Sequence, residues 1–452
     1  MEKRIQVMTE GGSAALLLRF ALPLMLGNVF QQLYTMVDTA IVGKALGVGA
    51  LAALGAADWL CWMMLSLIQG LTQGCSVLMA REFGAGRYER LRKCVGNSVL
   101  LCAVAAVIFG LLGEGFLISA LRLLETPEEI LPMARLYLRI IFAGVPVVMS
   151  YNLLAAVLRS LGDGKTPLLA MIIASCVNIA LDLLFVLVFH WGIAGAAIAT
   201  VLAQLLSTLF CLRQLGTLDI LQLSREDFCP DRQTLKRVLA LSWPMAFQNV
   251  LISVGGMAIQ RVVNTFGVAF IAGFTATNKL YGLLEVAATS YGYAVTTYVS
   301  QNLGAGKIGR IRSGVRSANV IAFFTSLLIG AAMLVFGRLI LSCFISASAA
   351  EAENAMAVAY RYLAVMSIFL PILYYLHVTR SAVLGLGNAV LPMFAGIFDF
   401  IVRIVAAVLL PLYFGEQGIY FAEVLAWLGT DAVLFVSYLR LMRRLRRGEH
   451  AG

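Results

Sequence analysis

The chain has 452 residues, of which 61% are hydrophobic and 13% charged, with a formal net charge of +10. A water-soluble protein of this length carries far more polar surface, so the composition excludes a soluble globular fold and requires apolar side chains to face lipid. The positive charge points to no nucleic-acid partner, because the lysines and arginines collect at the ends of apolar runs, where they report membrane topology.

Twelve runs are long and apolar enough to cross a bilayer core: 17–42, 51–80, 92–120, 131–159, 166–190, 192–215, 238–263, 271–300, 314–341, 357–384, 391–413 and 417–441. None reads as a cleaved signal peptide, since the first run is long and eleven more follow it. The expected fold is an all-α integral membrane protein of twelve transmembrane helices.

Span 1 brings Pro23, Gln31, Tyr34, Met36 and, near its outer end, Asp38. Span 2 holds Asp58 near its outer mouth and runs into the basic segment Arg81, Arg87, Arg90, Arg92 and Lys93. Span 4 carries Tyr137, Pro146, Met149, Tyr151 and Asn152, and span 5 carries Asn178 and Asp182 on one helix face. His190 falls in the loop after it, and span 6 holds Ala196 and Thr200. A polar linker follows at 216–237 and includes Ser224-Arg225-Glu226-Asp227; it is long enough to join two bundles that move.

In the second half, span 7 brings Pro244, Phe247 and Met257, and span 8 brings Tyr281 and Glu285, the latter with no basic partner on its own helix face. The next basic segment is Lys307, Arg310, Arg312 and Arg316. Span 10 has Pro371, Tyr374, Tyr375 and His377, for which a core hydrogen-bonding role is expected. Span 11 has Asp399 and Arg403 four residues apart, an internal ion pair that satisfies both. Glu423 and Asp431 in span 12 receive no role. The tail is basic (Arg440, Arg443, Arg444, Arg446, Arg447) and ends beyond His450.

Together with Lys3 and Arg4, every basic segment falls on one side of a twelve-span chain, and Glu114, Glu125, Glu128, Glu129, Glu351, Glu353 and Glu416 fall on the other. The positive-inside bias then puts both termini in the cytoplasm. Cys61, Cys75, Cys94, Cys102, Cys176, Cys211, Cys229 and Cys343 form no Cys-x-x-Cys pair and read as small apolar fillers.

The chain repeats itself. Gly84-Ala85-Gly86-Arg87 matches Gly304-Ala305-Gly306-Lys307 at an offset of 220, which also pairs Gly47 with Gly267 and Asp58 with Asn278. Pro23 pairs with Pro244 and Asn28 with Asn249 at 221, while Tyr137 pairs with Tyr362, Pro146 with Pro371, Gly162 with Gly387 and Pro167 with Pro392 at 225. Six spans per copy give both copies the same orientation, so two homologous six-helix lobes are expected about a pseudo-two-fold axis along the membrane normal, with a cleft between them. The boundaries expected are 1–215 for the N-lobe, 216–237 for the linker, 238–441 for the C-lobe and 442–452 for the tail.

A carboxylate in the membrane costs roughly 2.5–3.5 kcal/mol on insertion scales, so each requires a reason. Asp38 and Asp182 share a depth at which spans 1 and 5 carry no lysine or arginine, and Asn178 stands beside them. The cluster either holds a proton or binds an alkali cation through several oxygens; the structural alternative is a pair of protonated acids that pins two helices. Repeat alignment sets Arg403 opposite Asn178, so the second lobe has no copy of this cluster.

The ordered set of Pro23, Gln31, Asp38, Gly84-Ala85-Gly86, Tyr137, Leu161-Gly162-Asp163-Gly164-Lys165-Thr166-Pro167 and Asn178-x-x-x-Asp182 resembles the MATE (multidrug and toxic compound extrusion) family over about 12–441. The resemblance implies a plasma-membrane antiporter of a prokaryote that exports organic cations or amphipathic drugs in exchange for H+ or Na+. It implies a coupling-ion site at Asp38, Asn178 and Asp182, with Tyr137 in the hydrogen-bond network. Thr200 and the carbonyl of Ala196 match further proposed sodium ligands. Asp38, Asn178 and Asp182 are metal ligands only if the ion is Na+. Family members with acidic C-lobe ion residues in spans 7 and 10 are not matched, because span 7 lacks Asp and Glu and span 10 has His377.

The residues expected to line a substrate cleft are Gln31, Tyr34, Met36, Met149, Asn152, Phe247, Tyr281, Glu285 and Tyr374. No cofactor is expected beyond the coupling ion, and one chain is sufficient as a functional monomer. The alternative within transport is a lipid-linked saccharide flippase of the same broad superfamily, disfavoured by acidic and aromatic cleft candidates. An enzyme is not expected: three unclustered histidines and no glycine-rich nucleotide loop leave no catalytic set.

Overall fold

The computed structural model describes residues 5–124, 126–342 and 349–447. Lys3, Arg4, Glu125, Cys343 and His450 lie outside the described residues, as does the side chain of Glu351. The chain is helical almost throughout: α1 (Ser13–Leu46), α2 (Val48–Gly84), α3 (Tyr88–Leu123), α4 (Leu131–Ala143), α5 (Val145–Ser160), α6 (Lys165–Asp182), α7 (Gly192–Leu215), α8 (Arg232–Val263), α9 (Val268–Gly304), α10 (Ile308–Leu341), α11 (Ala349–Gly385), α12 (Val390–Phe414) and α13 (Ala422–Arg446). A π-helical stretch, Leu183–Val188, continues α6.

These helices supply the twelve expected spans, because α4 and α5 are two halves of span 4 that meet at a 48° bend. Pro146 sits in the first turn of α5, where a proline ends one run of helix bonds and starts the next. Its repeat partner, Pro371, lies inside the continuous α11. The two copies thus treat the same proline differently.

Length and hydropathy alone pick out nine apolar helical segments among the described residues, one of which joins α12 to α13, plus the bent pair. The span this count omits is α9. Several of its polar residues are buried and bonded along α11: Thr277 donates to the Ala359 carbonyl at 2.8 Å and Ser300 to that of Gly385 at 3.1 Å, while Tyr374 donates back to Leu284 at 2.9 Å. A helix enclosed by protein can carry hydroxyls that a lipid-facing one cannot. Outward apolar side chains such as Leu111, Phe116, Leu328, Val335 and Leu412 are strongly exposed, as lipid contact requires.

The chain forms two compact units. One holds Leu22–Asn249 with a short segment ending at Met8; the other holds Thr9–Ala21 and the chain from Val250 onward. Within the first unit, the opening half of α8 packs on α2 at Gly70, where an added Cβ would meet Ala246 Cα at 2.5 Å. Gly74 faces the backbone of Ser242 in the same way. Only hydrogen fits at such approaches.

The linker is docked on this unit. Asp231 donates its backbone N–H to Asn97 Oδ1 at 2.9 Å, Asn97 Nδ2 donates to the Cys229 carbonyl at 3.4 Å, and Gly96 faces the Asp227 carbonyl. Asp231 then caps α8 by accepting the Thr234 N–H at 3.0 Å. The Thr234 hydroxyl and backbone bonds, with Lys93 nearby, hold the Asp231 carboxyl below its ordinary pKa.

Two repeat pairs keep their backbone conformation. Gly86 and Gly306 have φ of 70° and 71°, and Gly162 and Gly387 have 83° and 86°, a left-handed region that favours glycine. Gly162 belongs to the motif before span 5, where Asp163 Oδ1 accepts the N–H groups of Lys165 and Thr166 at 3.0 and 2.9 Å. The motif is therefore a turn that starts α6.

Candidate cation site and the C-terminal charge network

Three helices of the first unit bring together the residues singled out in the sequence. α1 supplies Asp38, α6 supplies Asn178 and Asp182 one turn apart, and α7 supplies Thr200 and Ala196. Asp38, Asn178 and Asp182 are 6%, 1% and 0% exposed, so all three have left water. Asn178 Nδ2 donates to Thr200 Oγ1 at 3.5 Å, and the Thr200 hydroxyl donates to the Ala196 carbonyl at 3.1 Å.

The two carboxyls lie close enough to act on each other. Yet Asp38 Oδ1, both oxygens of Asp182 and Asn178 Oδ1 are buried without a hydrogen-bond partner among the described residues. Among the described residues, no lysine or arginine acts on either acid. Tyr34 lies within electrostatic reach of both carboxyls, and Tyr137 within reach of Asp38 and Asp58.

Four acceptor oxygens without donors, two of them on one carboxyl, are costly in a medium of low polarity. A proton on one acid lowers that cost. A hard cation does the same, and an all-oxygen set of carboxylate, amide and hydroxyl suits Na+ better than a soft metal. Among the described residues no group of three or more His, Cys, Asp and Glu could hold a metal ion.

The geometry adds one feature that the sequence did not signal. Asp182 is the last residue of α6 before the π-helical Leu183–Val188. Insertions of this kind change the direction of side chains and recur at functional sites. The turn that closes it stacks Phe185 on Trp191 at 4.8 Å and places His190 at φ 55°.

The second unit buries more charge than the Asp399–Arg403 pair expected there. Arg403 Nη2 lies 3.0 Å from Asp399 Oδ2, and its Nη1 lies 3.1 Å from Glu423 Oε1. Glu285, without a basic partner on its own helix face, meets one on α11: His377 Nε2 is 3.3 Å from Glu285 Oε1. Arg380 acts on Glu285, Asp399 and Asp431. Glu423, which had no assigned role, is thus the second carboxylate on Arg403. The partners sit on different helices, α9 with α11 and α12 with α13, and such pairings are invisible in helix-face arithmetic.

The repeat also links the two interiors. Tyr362 donates to Asn278 Oδ1 at 3.3 Å, and its counterpart Tyr137 lies within reach of Asp58, the counterpart of Asn278. Of the residues expected to line a cleft, Gln31, Tyr34, Met36, Asn152, Tyr281 and Glu285 are partly exposed, and Phe247 is exposed beside Trp243. Met149 and Tyr374 are enclosed within their own units, at 1% and 0% exposure, because each packs into a helix core. Neither presents surface to a ligand in this conformation.

Twelve helices in two repeated units, one enclosing acids without a lysine or arginine acting on them, define a membrane transporter. The MatE family model matches residues 23–184 and 244–409, and the chain belongs to this family. It is 31% identical over 433 residues to the probable multidrug resistance protein YpnP of Bacillus subtilis (strain 168), covering 95% of this chain and 96% of that one. It is 26% identical over 448 residues to the probable multidrug resistance protein NorM of Thermotoga maritima, covering 94% and 91%. Its fold matches a crystal structure of MATE in complex with MaL6 with a TM-score of 0.92 at 24% identity, over 99% of this chain and 100% of that one.

Proposed function

We propose that the protein is a cation-coupled antiporter that exports amphipathic organic cations across the plasma membrane of a prokaryote, with both termini in the cytoplasm. The observation that carries this reading is the cluster of partnerless acceptor oxygens on Asp38, Asn178 and Asp182. A site that is costly when empty and relieved by one positive charge makes ion binding a large free-energy term. If the ion and the drug differ in affinity for the inward and outward states, binding of one drives release of the other. The names of the two relatives, both multidrug resistance proteins, agree with a drug substrate.

In this scheme the first unit takes the ion, with Thr200 and Tyr137 orienting the site, and partly exposed aromatic and acidic residues receive the cationic drug. Tyr281 and Glu285 offer a ring face and a carboxylate suited to such a guest. Each chain carries both units and acts as a monomer. The coupling ion is H+ or Na+, since the same oxygens serve both. Drug efflux by Asp38→Asn and Asp182→Asn in cells without their own pumps tests the reading: both variants lose efflux, and full gradient-driven efflux by both would sink it.

A further inference from the structure

A groove of about 450 Å³ opens on the second unit, beside α10. Arg312, Arg316, Asn319 and Phe323 recur along α10 at spacings of three and four, so one helix face lines it, with Tyr375 of α11 and Tyr438 of α13 opposite. Its chemistry changes with depth. Two guanidinium groups occupy the end of the helix near its basic loop, Asn319 follows one turn deeper, and beyond it Phe323 and Phe324 are 48% and 64% exposed. Neither Arg312 nor Arg316 is ion-paired among the described residues. Asn319 Oδ1 is buried without a partner among the described residues.

The repeat shows what fills the same place in the first unit. At the offset of 220, Arg316 corresponds to Gly96 and Ser317 to Asn97. There the linker lies against the helix, with the Asp227 carbonyl on Gly96 and Asn97 bonded to Cys229 and Asp231. Arginine in place of that glycine excludes the same peptide and adds a charge.

We propose that this groove binds one anionic phospholipid. Its phosphate sits between Arg312 and Arg316, which offer planar donors matched to phosphate oxygens. A headgroup hydroxyl, as in phosphatidylglycerol, donates to Asn319 Oδ1, and an acyl chain runs along Phe323 and Phe324. Basic pockets between membrane helices at this level are suited to lipid headgroups, and the sequence of charge, amide and ring with depth follows that of a lipid.

The test is native mass spectrometry of the purified full chain with phosphatidylglycerol, with phosphatidylcholine of the same acyl chains, and with glycerol 3-phosphate. One phosphatidylglycerol is expected to remain bound, and the Arg312→Gln/Arg316→Gln variant to bind it on the order of tenfold more weakly. The Arg312→Lys/Arg316→Lys variant, which keeps the charge, should recover part of the binding. A melting temperature of the lipid-free Gln variant equal to wild type shows that it folds. Equal retention of phosphatidylcholine, equal binding by the folded Gln variant, or glycerol 3-phosphate competing at equal concentration would overturn the proposal. So would tighter phosphatidylglycerol binding after removal of residues 448–452, since the tail would then be the occupant.

Discussion

Asn178 gives its amide N–H to Thr200 Oγ1 at 3.5 Å, and this leaves Asn178 Oδ1 without a donor on the same helix face as Asp182. The hydrogen bond fixes which end of the amide meets the acids. Thr200 in turn is fixed by its own bond to the Ala196 carbonyl at 3.1 Å. The orientation of the site therefore passes through α7, an element that carries no charge of the cluster.

Thr200→Val removes the acceptor and frees the Asn178 amide to turn. The apparent affinity for the coupling ion should fall by about fivefold, the equivalent of one hydrogen bond worth roughly 1 kcal/mol. Asn178→Leu should weaken it further, because it removes a ligand oxygen. Transport rate against ion concentration in proteoliposomes measures both, and an unchanged Thr200→Val curve would show that α7 does not orient the site.

Gly70→Ala introduces a Cβ at 2.5 Å from Ala246 Cα, where backbone must move. Overpacking of this kind costs about 1–3 kcal/mol. Gly115→Ala is the control, since nothing lies within 4 Å of a Cβ there. Thermal melting in detergent should show a lower midpoint for the first variant and none for the second.

Arg403→Met leaves the buried Asp399 and the partly buried Glu423 without their shared cation, and losing one partner of a buried pair costs roughly 3–5 kcal/mol. A triple variant that also carries Asp399→Leu and Glu423→Leu should melt closer to wild type than Arg403→Met alone. If the single variant melts like wild type, the network is not structural.

Asp231→Ala removes the cap of α8 outside the membrane. The folded carboxyl titrates below its ordinary value, chiefly through the Thr234 hydroxyl. Its contribution is therefore present above the ordinary carboxylate pKa and is lost as pH falls through the depressed one. The variant should melt below wild type at neutral pH, and the gap should close in acid. A gap that is constant with pH would assign the effect to something other than the charge.

The fold was readable because charges are scarce in this chain. The twelve apolar runs and the glycines at 86, 162, 306 and 387 mark spans and turns directly, and the same scarcity made Asp38 and Asp182 conspicuous. What did not show were relationships between helices. The Glu285–His377 contact joins residues far apart in sequence, the docking of the linker depends on Gly96 having no side chain, and the π-helix after Asp182 is formed by an ordinary Leu-Leu-Phe-Val-Leu-Val run. Tyr374 shows the opposite limit: an aromatic in a span reads as cleft lining until its hydroxyl is found on the Leu284 carbonyl.

The central claim is that the Asp38–Asn178–Asp182 cluster couples ion entry to drug exit. Purified protein in proteoliposomes, with an imposed H+ or Na+ gradient and a fluorescent organic cation as substrate, tests it most directly. Wild type should move the cation uphill under one of the two gradients, while Asp38→Asn and Asp182→Asn still bind it but do not move it uphill. Uphill movement by both variants at the wild-type rate would contradict the account.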